Sequence, residues 1–240
     1  MSVIPQHYKG ESKRERVEEM FDSIASRYDL LNKILSGGID KSWRRKTINK
    51  LVELQPQSIL DIATGTADLA IESMKLKPSE IIGIDISNKM LDIGRHKIME
   101  KGYQGIIRLE QADSEKIPYP DNRFDAITVA FGVRNFEHLE QGLAEMYRVL
   151  KPGGKVVILE FSQPGQFPIK QFYNFYSNYV MPRVGQLLSK ERSAYEYLPA
   201  SVAAFPYGKK FTALLTKTGY RDTKAQSLTF GIASIYTGIK

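Results

Sequence analysis

Cysteine is absent from the 240 residues, and long apolar runs are absent as well. Without cysteine the chain has no disulfide, no thiolate metal site and no thiol nucleophile, which is typical of a protein in the reducing cytoplasm. No stretch reaches the roughly 18 consecutive apolar residues that a membrane-spanning helix needs. The segment from Met1 to Arg16 has no apolar core, so a secretory signal is not expected there.

The composition is that of an ordinary globular protein, with 42% hydrophobic and 25% charged residues. We assign residues 1–240 to a single domain, because a chain of this length can bury a large core. The net charge is +7, and basic residues cluster near the N-terminus and again between residues 41 and 50. Such clusters are typical of solvated helix faces, but they also suit an anionic membrane surface or nucleic acid. No nucleic-acid-binding motif is present, so nucleic acid is not expected as a partner.

Apolar strand patterns alternate with amphipathic helix patterns along most of the chain. The predicted strands are 58–62, 81–85, 106–109, 124–130, 155–161, 220–227 and 229–236. The predicted helices are 15–28, 42–54 with Ser42 as N-cap, one that starts at Thr66, 87–101, 139–150 and 209–218. The segment Lys151 to Gly154 is expected to break the chain between helix and strand. This order predicts an α/β fold with a doubly wound, mostly parallel, seven-stranded sheet that ends in an antiparallel pair.

The turn after the first strand gives the strongest indication of function. It consists of small residues, Ala63-Thr64-Gly65-Thr66-Ala67, at the start of a helix. Small side chains let the backbone approach a bound nucleotide, and a helix start presents unpaired N–H groups. Asp85 ends the second strand, where a carboxylate can accept hydrogen bonds from ribose hydroxyls. The first half of the chain is therefore predicted to bind a ribose-bearing cofactor.

The residue before this turn, Asp61, bears on which cofactor is bound. A dinucleotide fingerprint has three glycines, because a pyrophosphate docks on the helix N-terminus. Here Ala63 and Ala67 stand at two of those positions, and the carboxylate of Asp61 would repel a pyrophosphate but can pair with an ammonium group. This favours S-adenosyl-L-methionine, whose amino-acid end is zwitterionic, and argues against a dinucleotide oxidoreductase.

The segment from Phe167 to Tyr207 contains ten aromatic residues. One interpretation is a core for an additional helical layer. The other is a helical lid, about residues 165–207, that lines a deep apolar pocket for a ring or an isoprenoid tail. Both interpretations can hold together.

Four blocks of the sequence belong to one recognisable pattern. They are Tyr28 to Trp43, Leu60 to Leu69, Phe131 to Asn135, and Arg148 to Gly154 with Glu160 and Ser162. Together they resemble the ubiquinone/menaquinone biosynthesis C-methyltransferases, a branch of the class I S-adenosylmethionine-dependent enzymes. The similarity runs from about Val17 to the C-terminus, and the first and third blocks are the most specific.

Four positions differ from the usual residue of that family. Leu31 replaces Met, Asp40 replaces His, Ala67 replaces Gly and Ala130 replaces Ser. We expect the helix start to tolerate Ala67 if its φ is negative, and Ala130 to leave out one hydrogen bond to the cofactor. No role of the family's His is carried over to Asp40.

The resemblance implies methyl transfer from S-adenosyl-L-methionine to a ring carbon of demethylmenaquinol, giving menaquinol and S-adenosyl-L-homocysteine. Arg134 and Asn135 are the catalytic residues that it implies, with Arg134 stabilising the phenolate oxygen because a guanidinium stays protonated. The alternative role for Arg134 is an ion pair with Glu137 or Glu140. His138 is a weaker candidate base, since a lone His early in a helix is usually a surface residue.

Six residues are predicted to bind the cofactor: Asp61, Gly65, Thr66, Asp85, Asp113 and Ser114. The first three are assigned to its amino-acid end, Asp85 to the ribose, and the last two to the adenine. The alternatives are N-cap roles for Thr66 and Ser114 and a loop carboxylate at Asp113. The N-terminal helices, residues 1–55, are predicted to form a flap that closes over the cofactor with Tyr28 and Asp29.

Other functions stay open at the level of the sequence. They are dual ubiquinone and menaquinone methylation, methylation of another small aromatic acceptor, and a non-catalytic binding module. A prenylated naphthoquinol substrate implies a cytoplasmic protein with reversible, peripheral contact at the inner face of the cell membrane. No metal is expected. The general base, the tail length and the oligomeric state, including a homo-oligomer, stay open.

Overall fold

The computed structural model describes residues 3–6, 8–176, 179 and 192–240. Its strands are β1 (Ser58–Ile62), β2 (Glu80–Asp85), β3 (Ile107–Gln111), β4 (Phe124–Ala130), β5 (Leu150–Phe161), β6 (Arg221–Leu228) and β7 (Ala233–Ile239). Its α-helices are α1 (Lys13–Ser36), α2 (Asp40–Ile48), α3 (Asp68–Ser73), α4 (Asn88–Glu100), α5 (Leu139–Val149), α6 (Ile169–Phe175), α7 (Arg192–Ala204) and α8 (Lys209–Thr218). The centre of the predicted lid, residues 177–178 and 180–191, lies outside the described residues.

The strands form one sheet in the order β3-β2-β1-β4-β5-β7-β6. Strands β1 to β5 pair in parallel, whereas β7 runs antiparallel to both β5 and β6. The predicted fold class and the terminal antiparallel pair are therefore confirmed. Strand order reverses between β1 and β4, and in such sheets the carboxyl ends of the strands beside the reversal open a crevice for ligands.

Both faces of the sheet are covered, which explains why the central strands are almost continuously apolar. Leu60 and Ile62 of β1 belong to one core cluster, together with Phe211 of α8. Ile59 belongs to the cluster on the other face, together with Leu91 of α4. Alternate side chains of β1 thus point to opposite layers, as strand geometry requires, and only the strand ends stay open for a site.

Helix α1 adds a third layer at that open end. A capping box starts it, because the Ser12 side chain accepts from the Glu15 N–H and the Glu15 carboxylate accepts from the Ser12 N–H. It ends at Gly37, which has φ +60°. Its buried residues, Val17 and Met20 among them, pack with Ala194 and Tyr197 of α7 in a separate cluster.

Several local predictions are wrong in their details. Ser42 lies inside α2, which begins at Asp40 after Ile39 and has no side-chain cap. The helical segment predicted as 42–54 changes to 3₁₀ geometry over Asn49–Leu54. Helix α3 begins at Asp68 rather than Thr66, because Ala67 has φ +65° and stands outside the helix. The Lys151–Gly154 segment does end α5, but it belongs to β5 rather than to a separate turn.

Candidate functional site

A small cleft lies at the carboxyl ends of β1 and β2, with a volume of about 70 Å³. Five of the predicted site residues line it: Gly65, Asp85, Asp113, Ser114 and Asn135. They come from different turns of the chain, and the parallel sheet brings them together at one edge. We call this space the cofactor cleft.

Asp85 is held at the end of β2 by backbone N–H groups. The N–H of Gly65 donates to Oδ2 at 2.8 Å, and the N–H of Ser87 donates to Oδ1 at 2.9 Å. Burial raises the pKa of Asp85 to about 6, although these hydrogen bonds act to lower it. Each carboxylate oxygen can accept a second hydrogen bond, so Asp85 can still receive a pair of ribose hydroxyls.

The turn between β1 and α3 needs unusual backbone conformations. Gly65 has φ +54°, and a Cβ there would meet no atom within 4 Å. Ala63 and Ala67 have φ +51° and +65°. The condition of a negative φ at Ala67 is therefore not met, and this alanine stands where a glycine would relieve strain. Gly65 is needed for its conformation and not for space.

Asp61 and Thr66 lie beside the cofactor cleft without lining it. Asp61 is 1% exposed, and its oxygens accept from Thr64 Oγ1 and Thr128 Oγ1, both at 2.6 Å. Burial raises the pKa of Asp61 to about 6. Thr66 Oγ1 donates to Asp29 at 2.7 Å and accepts from Lys97 Nζ at 3.0 Å. Direct contacts of Asp61 and Thr66 with the cofactor stay predictions. In the structure the hydrogen bonds of both side chains hold the turn in place.

Helix α1 forms the outer wall of the cofactor cleft. Arg14, Val17, Phe21 and Tyr28 line the cleft from this helix, and Arg14 Nε lies 3.4 Å from Asp113. Lys13 anchors the start of helix α1 by hydrogen bonds to backbone carbonyls. The prediction that Tyr28 lies over the cofactor site agrees with this arrangement, whereas Asp29 is turned towards Thr66 and Lys97.

Lys13 is a buried lysine whose role the sequence does not reveal. Its Nζ donates to the carbonyl oxygens of Phe136 at 2.7 Å and Arg134 at 3.2 Å. Burial lowers its pKa. Lys13 thus ties α1 to the loop that carries the predicted catalytic residues. In the sequence it is one of several basic residues near the N-terminus, and nothing separates it from solvent-exposed lysines.

A larger cavity of about 320 Å³ adjoins the cofactor cleft, and we call it the apolar cavity. Phe21, Tyr28 and Phe131 line both spaces and form their common wall. Helices α1, α2, α6 and α7 supply most of the remaining lining, which is largely aliphatic and aromatic. Tyr173, Tyr176 and Tyr197 come from the aromatic-rich segment that suggested a pocket.

Arg134 lines the apolar cavity and is 7% exposed. Its Nη1 lies 2.7 Å from Oε1 of the fully buried Glu160 and also donates to the carbonyl of Phe131. Its guanidinium carbon lies 5.3 Å from the centre of the Phe161 ring. The Nε atom is buried and has no hydrogen-bond partner among the described residues. An unpaired buried donor costs free energy, so a ligand acceptor that reached Nε after a small movement of the side chain would relieve this cost.

The predicted alternative partners of Arg134 are wrong. Glu137 accepts from the backbone N–H groups of Lys13 and Arg14, and Glu140 pairs with Lys217 on the surface. The partner is instead Glu160, which the sequence pattern contains only as a member of the fourth block. An acidic residue inside an apolar strand such as 156–161 is the indication that could have identified it.

Three aromatic rings form one wall of the apolar cavity. Phe161 stacks on Phe131 with ring centres 4.4 Å apart, and Trp43 of α2 lies 6.1 Å from Phe131. The indole N–H of Trp43 donates to Thr229 at 2.8 Å. The guanidinium of Arg134 packs against Phe161. A flat ring can stack on such a surface.

Asn135 connects the two spaces. It lines the cofactor cleft, and its Oδ1 accepts from the hydroxyl of Tyr197, which lines the apolar cavity, at 3.1 Å. Burial raises the pKa of Tyr197 to about 12. His138 is exposed, and its Nδ1 lies 2.9 Å from Glu115, which fits the surface role predicted for it.

No group of three or more His, Cys, Asp or Glu side chains among the described residues could hold a metal ion. No helix in that part of the chain is long and apolar enough to cross a membrane.

Comparisons with known proteins identify the family of this chain. The model of the ubiE/COQ5 methyltransferase family matches residues 9–240. A demethylmenaquinone methyltransferase of Bacteroides fragilis is 51% identical over 95% of this chain and 94% of its own length. A ubiquinone/menaquinone biosynthesis C-methyltransferase of Geotalea daltonii is 49% identical over 97% of this chain and its whole length.

Solved structures confirm the fold. A SAM-dependent methyltransferase from Thermotoga maritima superposes with a TM-score of 0.63 at 18% identity, over 92% of this chain and 99% of its own. An S-adenosyl-L-methionine-dependent methyltransferase from Methanococcus maripaludis gives 0.61 at 19% identity, over 99% and 97%. Since the family model matches residues 9–240, this chain belongs to the ubiE/COQ5 methyltransferase family and is an S-adenosyl-L-methionine-dependent methyltransferase.

Proposed function

We propose that this enzyme transfers a methyl group from S-adenosyl-L-methionine to a ring carbon of demethylmenaquinol, giving menaquinol. The main observation is the unpartnered Nε of Arg134, a buried donor on a residue that lines an apolar cavity next to the cofactor cleft. A cavity of about 320 Å³ is within the range of small-molecule sites. The names of the relatives from Bacteroides fragilis and Geotalea daltonii support this acceptor.

The cofactor supplies an electrophilic methyl group on a sulfonium. Gly65 would let the backbone approach the amino-acid end, and Asp85 would accept from the ribose hydroxyls. Asp113 and Ser114 also line the cofactor cleft, and we assign them to the adenine. We assign Asp61 and Thr66 to the amino-acid end of the cofactor, where they act indirectly by holding the turn that contains Gly65 in place.

The flap prediction gains support from the size of the cofactor cleft. A volume of about 70 Å³ is well below the roughly 300 Å³ of the smallest typical ligand pockets. Phe21 and Tyr28 of α1 occupy the shared wall. We propose that α1 withdraws when the cofactor enters and then closes over it, which keeps water away from the reacting groups.

Arg134 is the proposed electrostatic catalyst. A quinol carbon becomes nucleophilic as the neighbouring hydroxyl loses its proton, and Nε of Arg134 can donate to the developing phenolate. Asn135 lines the cofactor cleft, and the hydrogen bond from Tyr197 of the apolar cavity holds its side chain in place. Stacking on Phe161 and Phe131 would hold the ring in place, and such positioning contributes much of the rate in methyl transfer.

Methyl-transfer assays with radiolabelled S-adenosyl-L-methionine test this function. Chemically reduced demethylmenaquinone and the benzoquinol precursor of ubiquinone serve as acceptors. Label on the naphthoquinol alone supports menaquinone synthesis, and label on both supports the dual activity named for the Geotalea relative. Cofactor binding with no label on either acceptor would refute the acceptor proposal and favour another small aromatic substrate.

We also propose peripheral contact with the inner face of the cell membrane, where a prenylated acceptor resides. Tyr173 and Tyr176 of the α6 region line the apolar cavity, whereas Phe172 and Phe175 are 71% and 59% exposed. Flotation with vesicles containing anionic lipid should show binding at low salt that a Phe172→Ser/Phe175→Ser double variant weakens. Equal flotation of both proteins would contradict this contact. Light scattering of the same preparations tests the homo-oligomer hypothesis.

A further inference from the structure

A polar cluster occupies the part of the apolar cavity formed by the start of α2. Its members, Ser36, Asp40 and Arg44, all line the cavity. Ser36 Oγ donates to Asp40 Oδ1 at 2.8 Å, and Arg44 Nη1 donates to Asp40 Oδ2 at 2.5 Å. Asp40 and Arg44 are both buried. None of these three groups has a role in the proposed methyl transfer.

The aromatic wall relates this cluster to Arg134. Arg134 lies against Phe161, which stacks on Phe131. Trp43 of α2, next to Arg44, has its ring centre 6.1 Å from Phe131 and 6.3 Å from Phe161. Asp40 is one helical turn before Trp43 and Arg44. A ring on this wall therefore shares one cavity with Arg134, which follows β4, and with the Asp40 cluster, which belongs to the start of α2.

We propose that Asp40 accepts a hydrogen bond from the second hydroxyl of the ring acceptor and thereby selects the hydroquinone over the quinone. This proposal rests on the proposed function and assigns a specificity-determining residue to it. The two oxygens of a 1,4-hydroquinone lie on opposite sides of its ring. One oxygen would meet Arg134, and the other would meet Asp40.

The chemistry of the two redox forms explains the selection. An ionised carboxylate only accepts hydrogen bonds, whereas a hydroquinone hydroxyl donates and a quinone carbonyl only accepts. A quinone would therefore place its oxygen against the carboxylate with no proton between them. Burial would raise the pKa of Asp40, but the Ser36 hydroxyl and the Arg44 charge outweigh it and hold the pKa below its ordinary value.

Arg44 also has a structural partner that provides a control. Its Nη2 lies 3.2 Å from Asp68 of α3, which does not line the apolar cavity. Asp68→Asn removes one carboxylate from Arg44 and leaves the cavity lining intact. Asp40→Asn removes the other carboxylate at constant size, and the amide can donate to a quinone carbonyl.

Binding can be measured without turnover, because Trp43 is the one tryptophan of the sequence and lines the apolar cavity. Quenching of its fluorescence by 2-prenyl-1,4-naphthoquinone and, in a separate titration, by the dithionite-reduced form gives the two dissociation constants. The full-length protein is kept anaerobic and saturated with S-adenosyl-L-homocysteine. Melting temperature and cofactor affinity show whether each variant is folded.

We expect the wild type and Asp68→Asn to bind the reduced ring at least about tenfold more tightly than the oxidised ring, as loss of a buried hydrogen bond implies. Asp40→Asn should bring this ratio close to one, mainly through tighter quinone binding. An unchanged ratio in Asp40→Asn, or a ratio near one in the wild type, would overturn the proposal. The ratio measured for the wild type tests the proposal whether or not the variants fold. Methyl transfer to the reduced ring by the wild type is measured in parallel, and its absence would instead reject the proposed function.

Discussion

Glu160 Oε1 lies 2.7 Å from Nη1 of Arg134, and Glu160 Oε2 accepts from the backbone N–H of the same arginine at 3.2 Å. Both side chains are buried, with Glu160 0% and Arg134 7% exposed. The ion pair therefore fixes the guanidinium at the edge of the apolar cavity and leaves Nε without a partner among the described residues. The two residues have different proposed roles, since Arg134 lines the cavity and Glu160 positions Arg134.

Arg134→Ala should lower the turnover number by about a hundredfold or more, the usual cost of losing one donor to a developing oxyanion. The dissociation constant of S-adenosyl-L-methionine should change less than about twofold, because Arg134 does not line the cofactor cleft. Steady-state kinetics and calorimetric titration measure the two quantities. Equal losses in both would reject the assigned role.

Glu160→Ala should reduce the free energy of unfolding by about 3–5 kcal/mol, because it leaves the Arg134 charge buried and unpaired. Denaturant titration measures the loss. The double variant Arg134→Met/Glu160→Leu removes both charges and should recover most of this stability. If the double variant were no more stable than Glu160→Ala, packing and not the unpaired charge would account for the loss.

Cofactor binding should weaken as the pH falls below about 6, the pKa to which burial raises Asp85. Ribose hydroxyls donate to the ionised carboxylate, so binding favours the deprotonated form and the dissociation constant rises by up to about tenfold per pH unit. Asp85→Asn should bind more weakly at pH 7.5 and lose this pH dependence. Asp61 has a similar pKa but does not line the cleft, so a slope that persists in Asp85→Asn would move the effect away from Asp85.

Gly65→Ala should destabilise the protein by about 1 kcal/mol, because an L-residue with φ near +54° is strained. The matched control is Gly105→Ala, where a Cβ also meets no atom within 4 Å but φ is not positive. The control should stay within about 0.5 kcal/mol of the wild type. Thermal unfolding of the two variants compares them directly, and equal effects would mean that the turn tolerates alanine.

The sequence predicted the architecture well because strand burial and helix spacing are local properties. The limits of β4 (Phe124–Ala130) and α8 (Lys209–Thr218) agree with the prediction to the residue, since polar and glycine residues mark them clearly. Boundaries were less accurate where geometry depended on other segments. Ala67 is an example, because its positive φ follows from the path of the turn and not from its own preference.

The sequence by itself determined the fold class, the family pattern and several of the residues that line the cofactor cleft, because these depend on short motifs at strand ends. Only the tertiary structure decided the partners of charged groups. It paired Arg134 with Glu160, 26 positions away, buried Lys13 under the 134–136 loop, and placed Asp40 in the wall of the apolar cavity. Ion pairs between distant segments follow from how layers pack, and charge type alone does not encode that packing.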